Sequence, residues 1–116
     1  MLCVSDNSYL QQEWALALNE YGFQAVTALN GGHALGIFRI RQGAFFAILV
    51  DDDLRSKDSL EFIQYAREAD YAGPIVVLSE CLSPETCQAY LRWGVSGFFS
   101  KPVEIGMVIT LLTRAV

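Results

Sequence analysis

At 116 residues the chain has room for one domain, with a single core and layers on both faces of a sheet. Hydrophobic residues make up 53% and charged residues 18%, a balance that excludes a disordered segment. The net charge is -5, and the basic residues are scattered from Arg39 to Arg114 without forming a stripe, which argues against direct nucleic-acid binding.

Five apolar runs alternate with helix-like segments. The run Met1 to Val4 is followed by Asn7-Ser8 as helix-start signals and a first helix, YLQQEWALALNEYG, with Leu10, Trp14, Ala17 and Tyr21 at helical spacing and Gly22 as the stop. Phe23 to Leu29 reads as a second strand and NGG as a turn; HALGIFRIRQG then carries Ala34, Ile37, Phe38 and Arg41 around a second helix. The run Phe45 to Val50 is apolar throughout, as in a strand buried on both faces, and enters three consecutive aspartates. A third helix, SLEFIQYAREAD, places Leu60, Ile63 and Ala66 on one face. Gly73-Pro74 punctuates before a fourth strand, Ile75 to Leu78. Ser83-Pro84 starts a fourth helix that stops at Gly94, VSGFF forms a fifth strand, and EIGMVITLLTRAV a final helix after Lys101-Pro102.

Strict alternation of this kind implies an α/β fold: a single doubly wound, flavodoxin-like sheet of five parallel strands with five helices, taken here as one domain over 1–116. Cys3, Cys81 and Cys87 are odd in number and lack CxxC spacing, which fits a reducing cytosol better than a disulfide framework or a zinc site. The opening apolar stretch meets Asp6 at once and lacks a basic leader, and no apolar stretch approaches a membrane span. A cytoplasmic chain with no membrane partner is therefore expected. Both ends fall on structured-looking segments, as in a domain cut from something larger.

In sheets of this type the functional site lies outside the carboxyl ends of the strands, near the point where the winding reverses. The residues that end the strands are Ser5-Asp6, Asp51-Asp52-Asp53, Ser79-Glu80 and Ser100-Lys101. Adjacent carboxylates repel, and each one taken out of water costs free energy unless a cation compensates. Acids, a hydroxyl and a lysine at one edge are hard to read as solvation alone. Asp52 taken singly reads as a solvated loop acid, His33 as a surface residue, and glycines 31, 32 and 94 as turn and cap residues. Neither GxGxxG nor GxxxxGK[ST] occurs, and SDNSY after the first strand has no glycine to cradle a phosphate, so a nucleotide or flavin binder is disfavoured.

With Asp51 after the third strand, Leu60-Glu61-Phe62 opening the next helix, Ser79 after the fourth strand, Lys101-Pro102 after the fifth and Phe98 three positions before the lysine, the chain resembles the receiver domain of two-component response regulators, the CheY-like superfamily. The resemblance spans essentially the whole sequence. It implies that Asp51 accepts a phosphoryl group from the phosphohistidine of a histidine kinase or phosphotransfer protein. It also implies Mg²⁺ as cofactor, held by Asp6, Asp51 and the backbone carbonyl of Asp53. Lys101 would pair with the phosphoryl oxygens and Ser79 would bond and move towards them. Phe98 would then turn inward and change the face of the fourth helix, fifth strand and fifth helix, towards an output domain or downstream protein. Such a domain assists its own phosphorylation and dephosphorylation and is no conventional enzyme outside a hybrid kinase.

The sequence departs from the family pattern at several points. Ser5 stands where the family has a first acid, which is expected to weaken Mg²⁺ binding. Glu80 replaces a small residue, and Arg55 and Ser59 replace the usual Pro and Gly of the loop after Asp51. These departures favour a second reading, a degenerate receiver that acts as an interaction module and is never phosphorylated. In the last helix Ile105, Val108, Ile109 and Leu112 are expected to face the sheet. That leaves Met107 and Leu111 outward, for a homodimer through the fourth helix, fifth strand and fifth helix or for a covering segment.

Overall fold

The computed structural model describes residues 1–41, 44–52, 58–80, 83–101 and 104–114. The chain runs β1 (Leu2–Val4), α1 (Ser8–Glu20), β2 (Val26–Ala28), α2 (Gly31–Ile40), β3 (Ile48–Asp51), α3 (Asp58–Glu68), β4 (Ile75–Ser79), α4 (Pro84–Leu91), β5 (Gly97–Ser100) and α5 (Ile105–Arg114). The strands form one parallel sheet in the order β2-β1-β3-β4-β5, as expected. The winding reverses between β1 and β3, so the ends of these two neighbouring strands flank the crevice where ligands of such sheets bind.

Each central strand is buried on both faces, and alternate residues serve different layers. Leu2, Val4, Ile48, Val50, Ile75 and Val77 pack with Ala34 and Phe38 of α2, Phe62, Ile63 and Ala66 of α3, and Tyr90 of α4. Cys3, Leu49, Val76 and Leu78 pack with Trp14 and Leu18 of α1 and with Ile105, Val108, Ile109 and Leu112 of α5. The expected inner stripe of α5 is therefore the observed one, and Met107 is 57% exposed as expected; Leu111, expected outward, is instead half-buried and packs against this layer.

Several boundaries differ from the expected ones for local reasons. The chain bends at Leu29 and Asn30, but of NGG only Asn30 lies outside the helix: it caps α2 by accepting from the His33 N–H at 2.8 Å, and Gly31 and Gly32 form the first turn. The Phe23 N–H closes α1 by donating to the Leu18 carbonyl, and Gly22 takes the left-handed conformation beside it, so β2 begins only at Val26. Phe46 is exposed and stacks on Phe23, which leaves β3 to begin at Ile48 and to end on Asp51 itself. Likewise β5 starts at Gly97 rather than Val95. The buried stripe of α1 is Gln11, Trp14 and Leu18, while Leu10 and Ala17 are half-buried and Tyr21 is exposed. Gln11 accounts for the rotation: its amide donates to the carbonyls of Ser5 (2.7 Å) and Ala28 (2.6 Å), tying the ends of β1 and β2. On α3 the buried residues are Ser59, Phe62, Ile63 and Ala66, with Leu60 half-buried; on α2, Arg41 is exposed.

Burial pushes the Cys3 thiol from its ordinary 9.0 up to about 12 and the Tyr71 phenol from 10.0 up to about 12. Both groups stay neutral in the folded chain where the unfolded chain has already lost the proton. The stability this contributes is complete below about pH 9 and is lost as pH rises towards about 12. Urea unfolding at a series of pH values from about 8 to about 11.5 should show stability falling steadily, and Tyr71→Phe should flatten the fall above about pH 10.

Candidate functional site

The sheet places an ionisable side chain where the core would normally admit none. Asp51, the last residue of β3, is 1% exposed. Its carboxylate is compensated from two sides: the Lys101 ammonium donates to Oδ1 at 2.6 Å, and the Ser5 hydroxyl donates to Oδ2 at 2.8 Å. A buried charge is tolerated when it is both paired and hydrogen-bonded, and Asp51 meets both conditions.

Its partners are held by backbone geometry. Ser5 follows β1 directly, its N–H bonds the Ala28 carbonyl at 3.0 Å, and its Oγ also accepts from the Asn7 N–H at 3.1 Å. Asn7 in turn caps α1 by accepting from the N–H groups of Tyr9 and Leu10. Lys101 follows β5, and its N–H donates to the Ser79 carbonyl at 3.0 Å, so the β4–β5 register sets where the ammonium begins. Ser79 ends β4, fully buried.

The structure therefore joins Asp51 and Lys101 directly, with Ser79 at the adjoining strand end. Asp6 is exposed on the same edge, immediately after Ser5. Phe98 is half-buried in β5, its ring 6.2 Å from that of Tyr90. Asp53, together with Arg55 and Pro102, lies outside the described residues. Glu80 is exposed and lines a cleft of about 290 Å³ with Asn7, Leu10 and Lys101. His33 is exposed at the start of α2, where its Nδ1 accepts from the Leu29 N–H.

One residue behaves differently from expectation. Asp52 is not a solvated loop acid: it is half-buried, and its Oδ1 accepts a hydrogen bond from the Tyr90 hydroxyl. Tyr90, on α4, is 2% exposed, and its hydroxyl also bonds Ser59 Oγ at 2.8 Å. Ser59 thus fixes the start of α3 to α4. The sequence carried one usable signal for this: a tyrosine on the inner face of a helix needs a partner for its hydroxyl.

Chemically, the arrangement is a carboxylate held beside an ammonium next to an open cleft. It can present an oxygen nucleophile to an electrophile whose own negative charge the lysine offsets. Asp6 and Asp51 carry carboxylates, hard oxygen groups of the chemical kind that Mg²⁺ prefers. Among the described residues no cluster of three or more His, Cys, Asp or Glu side chains is placed to hold a metal ion. Nor, among those residues, is any helix long and apolar enough to cross a membrane.

The family model of the response regulator receiver domain matches residues 1–113. The structure is similar to that of the chemotaxis protein CheY4 of Vibrio cholerae, with 26% identity, a TM-score of 0.87 and coverage of 99% of this chain and 96% of that one. It is also similar to a response regulator receiver protein from Pseudomonas putida, with 25% identity, a TM-score of 0.86 and coverage of 97% and 93%. CheY in the CheX–CheY–BeF3–Mg²⁺ complex of Borrelia burgdorferi shares the fold, with a TM-score of 0.88 at 17% identity over 98% of this chain and 86% of that one. Comparison with curated protein sequences gave no match.

Removing one member of the buried pair isolates the cost of the other. Lys101→Met is expected to lower the unfolding free energy by about 2–4 kcal/mol, because it strips the ammonium from a buried carboxylate. Asp51→Asn added to it should restore part of that loss, which urea unfolding of the single and double variants measures as a coupling energy.

Proposed function

The chain belongs to the response regulator receiver domain family, and on that premise we propose that it is a phospho-accepting switch whose acceptor is Asp51. One observation carries the reading: the Asp51 carboxylate is buried at the sheet's switch point with the Lys101 ammonium 2.6 Å from Oδ1. Phosphoryl transfer asks a protein mainly for position and charge compensation. A carboxylate oxygen of Asp51 attacks the phosphorus of a phosphohistidine on a kinase or phosphotransfer protein. The O–P bond forms, the N–P bond breaks, and its electron pair returns to the donor imidazole. Lys101 shifts its charge from the carboxylate to the phosphoryl oxygens as a point charge.

Mg²⁺ would be held by Asp6, Asp51 and the backbone carbonyl of Asp53, where it would neutralise charge on the phosphoryl oxygens. Ser79 donates its hydroxyl to the phosphoryl group, and its movement gives Phe98 room to turn inward. That alters the face made by α4, β5 and α5, which an output domain, a downstream protein or a second copy of the chain would read.

A second reading has its own observation. Ser5 donates to Asp51 Oδ2 where the family has an acid, so the carboxylate is oriented by a neutral hydroxyl. That arrangement suits an interaction module that is never phosphorylated. The two readings separate in one experiment. Incubated with Mg²⁺ and acetyl phosphate, the chain should gain one phosphoryl adduct by intact mass, and Asp51→Asn none. Ser5→Asp should reach the same extent of labelling at a roughly tenfold lower Mg²⁺ concentration, since it adds a hard charged ligand. No adduct on a folded sample, either with acetyl phosphate or with a phosphorylated kinase, would leave the interaction module standing.

A further inference from the structure

Tyr90 touches both parts of the molecule that a switch must connect. Its hydroxyl reaches Asp52, the residue next to the acceptor, and Ser59 in the first turn of α3. Its ring packs within the core formed by β1, β3, β4 and the helices α2 and α3, and lies tilted against Phe98 of β5. A buried phenol hydroxyl bonded to a carboxylate is among the stronger neutral-to-charged contacts, because the acceptor is charged and the phenol has given up water to make it. The backbone of Asp52 is itself fixed, its N–H donating to the Leu78 carbonyl at 2.8 Å. Holding Asp52 therefore holds α4 to the strand ends.

We propose that Tyr90 is a positioning residue that latches α4 to the acceptor edge in the resting chain, and that occupancy of Asp51 releases it. The proposal rests on the phosphoacceptor reading above. Two forces act on the latch when Asp51 carries a phosphoryl group. The added negative charge sits one residue from the Asp52 carboxylate and repels it. The Phe98 ring, turning inward, meets the Tyr90 ring in a core packed too densely for both to keep their places. Ser59 and Tyr90 act together here: the serine hydroxyl gives the phenol a second partner, which keeps it aimed at the acid edge. The residue beside the acceptor thus serves as the anchor of a helix on the output face.

Amide hydrogen exchange by mass spectrometry on the 116-residue chain tests this, with intact mass run on the same samples. In the resting chain Tyr90→Phe, which keeps the ring, should speed exchange across α4 and the start of α3 about tenfold and leave α1 and α5 unchanged. Asp52→Ala should do the same from the other side of the bond, and the double variant should go no further than either single one. With acetyl phosphate and Mg²⁺, wild-type α4 should approach the exchange of resting Tyr90→Phe, while phosphorylated Tyr90→Phe should show little further change. Unchanged α4 exchange in both single variants overturns the latch, as does additivity in the double one. An adduct on wild type with α4 still protected overturns the release and leaves the phosphoacceptor reading intact. Absence of any adduct overturns that reading and the release together, and the resting-state comparison then decides the latch by itself.

Discussion

A negative charge inside the sheet is the constraint around which this molecule is arranged. The Asp51 carboxylate is almost fully removed from water, and such a group persists in the ionised form only where cations or donors replace the solvent it has lost. Here the replacements arrive from two directions, an ammonium from the end of β5 and a hydroxyl from the end of β1. Neither lies near Asp51 in sequence. Only a parallel sheet in which β1 and β4 both neighbour β3 brings the ends of these strands to one edge.

The same constraint explains why polar atoms near the edge do double service. The Ser5 hydroxyl donates to Asp51 and accepts from the Asn7 N–H, so the entry to α1 and the orientation of the carboxylate depend on a single side chain. Gln11 closes the neighbouring gap by bonding the carbonyls that follow β1 and end β2. Lys101 is started by a backbone bond to Ser79, which links the cation to the strand that carries the hydroxyl. A small displacement of any one of these ends is therefore felt at the carboxylate, since close-packed interiors change by steps more readily than by degrees.

Departures from the family pattern are easier to understand in pairs than singly. Ser59, in place of a glycine, looks at first like a disturbance to the loop after Asp51. Beside Tyr90 it becomes a hydrogen-bond partner for a buried phenol. Ser5, in place of an acid, removes one negative charge from a crowded edge and supplies a donor to the charge that remains. Both changes replace an element of the common pattern with a neutral contact inside the protein.

Much of the fold was legible in the sequence because its signals are local. Apolar runs such as Ile75 to Leu78, caps such as Asn7 and Ser83, and the one-sided pattern of α5 depend on residues within a turn or two of each other. Asp51, Ser79 and Lys101 could be named because each ends or directly follows a strand, and the rule that strand ends gather at one edge holds for any sheet of this winding. Contacts across the fold were not legible. That Asp52 turns towards α4, that Ser5 donates to Asp51 and that Gln11 is buried follow from distances between residues 17 to 46 positions apart in the chain. Periodicity decides which face of an element is apolar; it says nothing of which polar atom on a neighbouring element will stand opposite. The alternation of segments by itself determined the layers and the edge where the chemistry lies. The tertiary structure alone decided which donors hold the carboxylate there, because a hydrogen bond depends on ångströms that only packing sets.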